Sequence, residues 1–116
     1  MEPSKSRQGV VALAFAAKLV AGDYEAAHSM LSSALRENLS AAELKGEYEK
    51  MIEYGDGPPK LVDVVNVLEE WPAKQEGDIG WAYVAIISDD YSEAVTIVVA
   101  QETEQFVIRE IEWGRP

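Results

Sequence analysis

The chain has 116 residues, 47% of them apolar, which is enough for the core of one domain spanning 1–116 and leaves no room for a second. Its 21 acidic side chains outnumber 10 basic ones, and the formal charge of -11 opposes contact with phosphate backbones and anionic membrane surfaces, so neither nucleic acid nor membrane is an expected partner. Without cysteine there are no disulfides or thiolate zinc sites, and one histidine excludes a multi-histidine centre within one chain; no metal or cofactor is expected.

The first half reads as helical. Lys5 and Arg7 precede an apolar run over 10–17, a superficial likeness to a secretory signal. Lys18 interrupts the run, and Val11, Ala14, Phe15 and Lys18 fall at helical spacing, so the segment over about 6–21 reads as a core helix and the chain as cytoplasmic. No apolar stretch reaches the length of a bilayer span. Gly22 then supplies a left-handed helix end and Asp23 an acceptor for the next helix's orphan amides. The second helix runs from Tyr24 to near Leu35, with Tyr24, Ala27, His28, Leu31 and Leu35 on its inward stripe. Ser40 and Glu43 make a capping box for a third helix, stapled by Leu39 and Leu44, whose inward side carries Leu44, Tyr48, Met51 and Ile52. Gly55, Asp56, Gly57, Pro58 and Pro59 stop it.

After Pro59 the pattern changes to valine, isoleucine and aromatics, with four strands over about 61–71, 79–88, 93–101 and 105–113. Short connections make them an antiparallel meander. The central strands are apolar on both faces: Trp81, Tyr83, Ala85 and Ile87 alternate with Ala82, Val84 and Ile86, and Val95, Ile97 and Val99 with Ala94, Thr96 and Val98. One layer of helices covers one face, so the second face predicts a homodimer packed through the sheet.

Gly22-Asp23-Tyr24-Glu25-Ala26-Ala27 after the first helix and Leu39-Ser40-Ala41-Ala42-Glu43-Leu44 opening the third resemble the nuclear transport factor-like superfamily, the cystatin-like α+β cone. The resemblance extends over about 9–113 and implies three helices packed on a curved four-stranded antiparallel sheet, a cone-shaped pocket between them, and frequent dimerisation through the sheet. This fold hosts isomerases, dehydratases, hydrolases, cyclases and transport adaptors, so it specifies no activity by itself. Family enzymes carry an acid/base pair on an apolar pocket wall. This chain departs from the isomerase pattern, because its first helix has no tyrosine to donate to an oxyanion.

His28 is the best single candidate for chemistry, as a general base or as a polar anchor for a ligand; a packed, hydrogen-bonded core histidine is the plainer reading. Asp63 shares an alternation with Val65 and Val67 and is the carboxylate that would assist it, while Arg109 falls with Val107 and Ile111. Tyr48, Trp81 and Tyr83, with Trp71 and Trp113, line either a ligand pocket or an ordinary core and interface. Residues 76–116 hold nine carboxylates against Arg109 and Arg115, which draws a basic partner or serves solubility alone. The sequence thus predicts a non-catalytic, dimeric domain that binds a small apolar ligand or a protein partner, a basic one in the manner of an immunity or inhibitor protein. The alternative is a small lyase, isomerase or hydrolase with His28 as base.

Overall fold

The computed structural model describes residues 5–52, 59–89 and 91–114. Four helices, α1 (Arg7–Val20), α2 (Tyr24–Ser29), α3 (Ser33–Asn38) and α4 (Ala41–Ile52), precede four strands, β1 (Leu61–Leu68), β2 (Asp78–Ile87), β3 (Ser92–Glu102) and β4 (Gln105–Trp113). The strands form one open antiparallel sheet in the order β1-β2-β3-β4, the α+β arrangement that the sequence predicts. No helix among the described residues is long and apolar enough to cross a membrane.

Local chemistry sets the helix ends. Ser6 accepts from the Gly9 amide to open α1. At its other end Gly22, at φ 79°, donates to the Leu19 carbonyl and Asp23 donates to that of Lys18, the paired closure that needs a left-handed residue between them. Asp23 then accepts from Ala26 and starts α2. The capping box forms as expected, Ser40 Oγ accepting from the Glu43 amide at 3.1 Å and Glu43 from the Ser40 amide at 3.0 Å. The glycine and proline stop proposed for this helix falls mostly within 53–58, outside the described residues.

The single second helix expected over 24–35 is two helices. Leu31 leaves the helical path to form a parallel bridge with Ile108 at the edge of β4, where Ser32 N–H donates to the Ile108 carbonyl and Ile108 N–H to that of Met30. Ser32 Oγ then caps α3 through the Leu35 amide. Side-chain periodicity survives the break, with Ala27 and Leu31 buried and Tyr24 and Leu35 packed against the core, which is why spacing alone does not show it.

The core lies between the helices and one face of the sheet. Its centre is Phe15, Leu19, Leu31, Leu44, Val84, Ile86, Val95, Ile97 and Ile108. On α1 the buried residues are Gln8, Gly9, Ala12, Phe15, Ala16 and Leu19; of the Val11, Ala14, Phe15 and Lys18 stripe read from sequence, Phe15 is buried and the other three lie at its partly exposed flank. Gln8 is 2% exposed, donates to the Leu68 carbonyl at 3.3 Å, and packs where Gly80 has no side chain. A β-carbon on Gly80 would stand 2.5 Å from Gln8 Cδ, so glycine there is what lets α1 approach β2.

Three bulges shape the sheet, between Val64 and Asn66 on β1, between Asp78 and Gly80 on β2, and at Arg109 on β4, which lies between the pairs Val98–Glu110 and Val99–Ile108. The first reverses the alternation along β1. Asp63 pairs with Ala85 on the outer face, whereas Val67 pairs with Ala82 on the helix side, so Asp63 and Val67 do not share a face.

Candidate functional site

His28 sits on the last turn of α2, half-buried, with Nε2 2.7 Å from the Leu39 carbonyl. A carbonyl only accepts, so Nε2 carries the proton and donates. The bond ties α2 to the segment between α3 and α4, the work of a packed structural histidine. Asp63 is exposed in the outer row of β1, so the sheet separates the base and acid paired from sequence.

Tyr48 is 3% exposed on the inward side of α4, its ring centroid 6.2 Å from that of Tyr24. Burial raises its phenol pKa, with the neighbouring Tyr24 and Tyr91 adding to the effect. Burial also raises the Tyr24 and Tyr91 phenols, helped by Glu49 and Glu93 respectively. All three remain protonated at neutral pH and offer no base. Beside Tyr24 an open cleft of about 290 Å³ runs between the α1–α2 turn and the start of α4, lined by Gly22, Asp23, Tyr24, Glu25, Ala41, Ala42 and Lys45. Lys45 Nζ stands 5.7 Å from the Tyr24 ring centroid. None of the candidates His28, Tyr48, Trp81 or Tyr83 lines this cleft. Among the described residues no three His, Asp or Glu side chains gather as metal ligands do.

Trp81 and Tyr83 lie on the sheet face turned away from the helices, half-exposed and stacked at 6.2 Å with 24° between ring planes. The four aromatic and histidine candidates are therefore divided between two sides of the sheet. Register aligns the outer face in rows: Leu68, Trp81, Val98 and Glu110 in one, Asn66, Tyr83, Thr96 and Glu112 in the next, then Asp63, Ala85 and Ala94. Strand β3 contributes only small side chains to these rows, and Val98, Thr96 and Ala94 are buried. Exposed apolar groups continue along the β1 edge, with Leu61 64% and Val65 52% exposed.

At one end of this face Arg109 reaches Asp78. Its Nε donates to Oδ1 at 2.7 Å and its Nη2 to Oδ2 at 2.8 Å, and the Gln75 amide also donates to Oδ2 at 2.9 Å. The Asp78 side chain is fully buried and that of Arg109 23% exposed. The hydrogen bonds to Asp78 raise the Arg109 pKa further, so the guanidinium is permanently charged. Bulges on β2 and β4 flank the same Val98–Ala100 stretch of β3, letting the pair span that strand. The alternation that groups Arg109 with Val107 and Ile111 holds for Val107, which pairs with Ala100 in the row of Asp78, and fails for Ile111, which pairs with the inward Ile97 beyond the bulge. Glu110 and Glu112, counted in the sequence only among the nine carboxylates of 76–116, alternate with the inward Ile111 and fall in the outer rows.

The class is an α+β domain with helices on one face of an open four-stranded meander and a mixed apolar and acidic surface on the other. Comparison with known proteins finds no matching family model, curated protein or solved structure.

Proposed function

We propose that this chain is a non-catalytic binding domain of the nuclear transport factor-like kind that recognises a protein through the outer face of its sheet. The observation that carries the reading is the Trp81–Tyr83 stack, set half-buried beside the small β3 side chains Val98 and Thr96 on the face that no described helix covers. Aromatic side chains on a rigid strand offer large contact area at small entropic cost, the character of interface anchors. A second copy, as the dimeric reading has it, or a different protein buries this same strip. A lyase, isomerase or hydrolase reading needs a second proton-transfer group beside His28, and Asp63 stands across the sheet from it.

The test is sedimentation of the native protein, alone and mixed with extract of its source cells, beside the variants Trp81→Ala/Tyr83→Ala and His28→Gln. Association lost in the outer-face variant and kept in His28→Gln supports the reading. Association that ignores the outer face, or turnover abolished by His28→Gln, overturns it.

A further inference from the structure

The charges around the outer face are one-sided in a way that selects its occupant. Residues 59–114 contain three cations, Lys60, Lys74 and Arg109, and each is in an ion pair within the same half of the chain: with Asp89 at 2.6 Å, Glu70 at 2.9 Å and Asp78 at 2.7 Å. The Arg109 charge lies on the outer face itself, cancelled by a fully buried carboxylate. By contrast Glu110 and Glu112 on β4 and Asp63 on β1 are exposed on either side of the aromatic strip and make no ion pair among the described residues. A second copy stacked face to face would set carboxylates against carboxylates, with every cation of both sheets already engaged. Like charges so placed oppose association.

We propose that the outer face docks a cationic polypeptide segment, arginine-rich in preference to lysine-rich, whose side chains lie on Trp81 and Tyr83 and end on Glu110 and Glu112. This rests on the protein-docking reading above and names the partner's chemistry. Two strand spacings, about 10 Å, separate the row position of Trp81 from that of Glu110, with only Val98 between them. One arginine stacks its planar guanidinium on the aromatic pair while a neighbour lays its stem over Val98 and presents two N–H groups to a carboxylate. Lysine matches the charge and lacks the plane.

The probe is a short peptide of alternating arginine and alanine, with lysine and citrulline counterparts, titrated calorimetrically into the full chain at low and physiological salt. Resonances of the Trp81 indole are followed in parallel. The arginine peptide is expected to bind most tightly, the citrulline peptide not at all, and the Trp81 indole N–H to shift on binding. Glu110→Gln/Glu112→Gln is expected to weaken binding about fivefold or more, on the scale of two rim ion pairs. Glu47→Gln/Glu49→Gln removes the same charge from exposed positions of α4 and is expected to change affinity less than twofold. Equal weakening by both pairs, or equal binding of the citrulline peptide, overturns the proposal. A native dimer dissociated by Trp81→Ala/Tyr83→Ala, with no peptide binding, overturns it while the docking reading stands. Association indifferent to that variant overturns both.

Discussion

The Asp78–Arg109 pair makes an asymmetric prediction about stability. In Arg109→Met the fully buried Asp78 carboxylate loses both guanidinium bonds and keeps only the Gln75 amide. A buried charge stripped of its counter-ion costs about 3 to 5 kcal/mol, and one remaining amide donor places this variant near the lower end, at about 3 kcal/mol. In Asp78→Asn the orphan is Arg109, whose 23% exposure lets water reach the guanidinium, so the loss is that of charge-assisted hydrogen bonds, about 2 kcal/mol. The double variant Arg109→Met/Asp78→Leu strands no charge and forfeits chiefly the Gln75 bond, about 1 kcal/mol. Urea unfolding followed by tryptophan fluorescence measures all three from the midpoint at constant slope. The expected order of destabilisation is Arg109→Met, then Asp78→Asn, then the double variant. A double variant less stable than Arg109→Met would refute the reasoning, since the pair would then stabilise by more than mutual neutralisation.

Three other outcomes follow from named contacts. His28→Gln is expected to cost about 1 kcal/mol through the Leu39 bond and to leave outer-face binding unchanged, read by unfolding and by titration. Gly80→Ala is expected to cost about 1 to 3 kcal/mol by driving Gln8 from its buried place, and Gln8→Ala in the same chain is expected to recover most of it in a double-mutant cycle. The Ser33 hydroxyl, then its amide, hold the Glu102 pKa below the ordinary 4.5 and dock α3 on the end of β3. A carboxylate depressed on folding stabilises fully above its unfolded pKa, so this contribution is expected to fade as pH falls through the lower folded value; the Ser33 amide resonance tracks it, and Glu102→Gln is expected to remove the dependence.

Much of the fold is legible in the sequence because local chemistry and period agree. Gly22 and Asp23 supply the groups that close one helix and open the next, Ser40 and Glu43 cap α4 reciprocally, and the β2 alternation separates Ala82, Val84 and Ile86 from Trp81, Tyr83 and Ala85. Misread features depend on partners distant in sequence. The break between α2 and α3 is set by Ile108, which bonds Met30 and Ser32 from β4. On α1 Phe15 is buried as its spacing predicts, whereas the burial of Gln8 depends on Gly80, a partner on β2 distant in sequence. Val67 does not share the face of Asp63, nor Ile111 that of Arg109, because a bulge inserts one residue and reverses alternation, with no residue type that announces it. His28 is half-buried on the last turn of α2. Its nearest polar partner is a main-chain carbonyl, which no side-chain pattern reveals.

Side-chain footprinting with hydroxyl radicals, on the free protein and on its assembled state, tests the central claim most directly, because solvent reaches both Trp81 and Tyr83 in the isolated fold. Labelling of Trp81, Tyr83 and Leu68 is expected to fall on assembly while that of Tyr24 beside the α1–α2 cleft stays constant. Protection of Tyr24 and His28 with undiminished labelling of Trp81 and Tyr83 would contradict it, placing function on the helical side of the sheet.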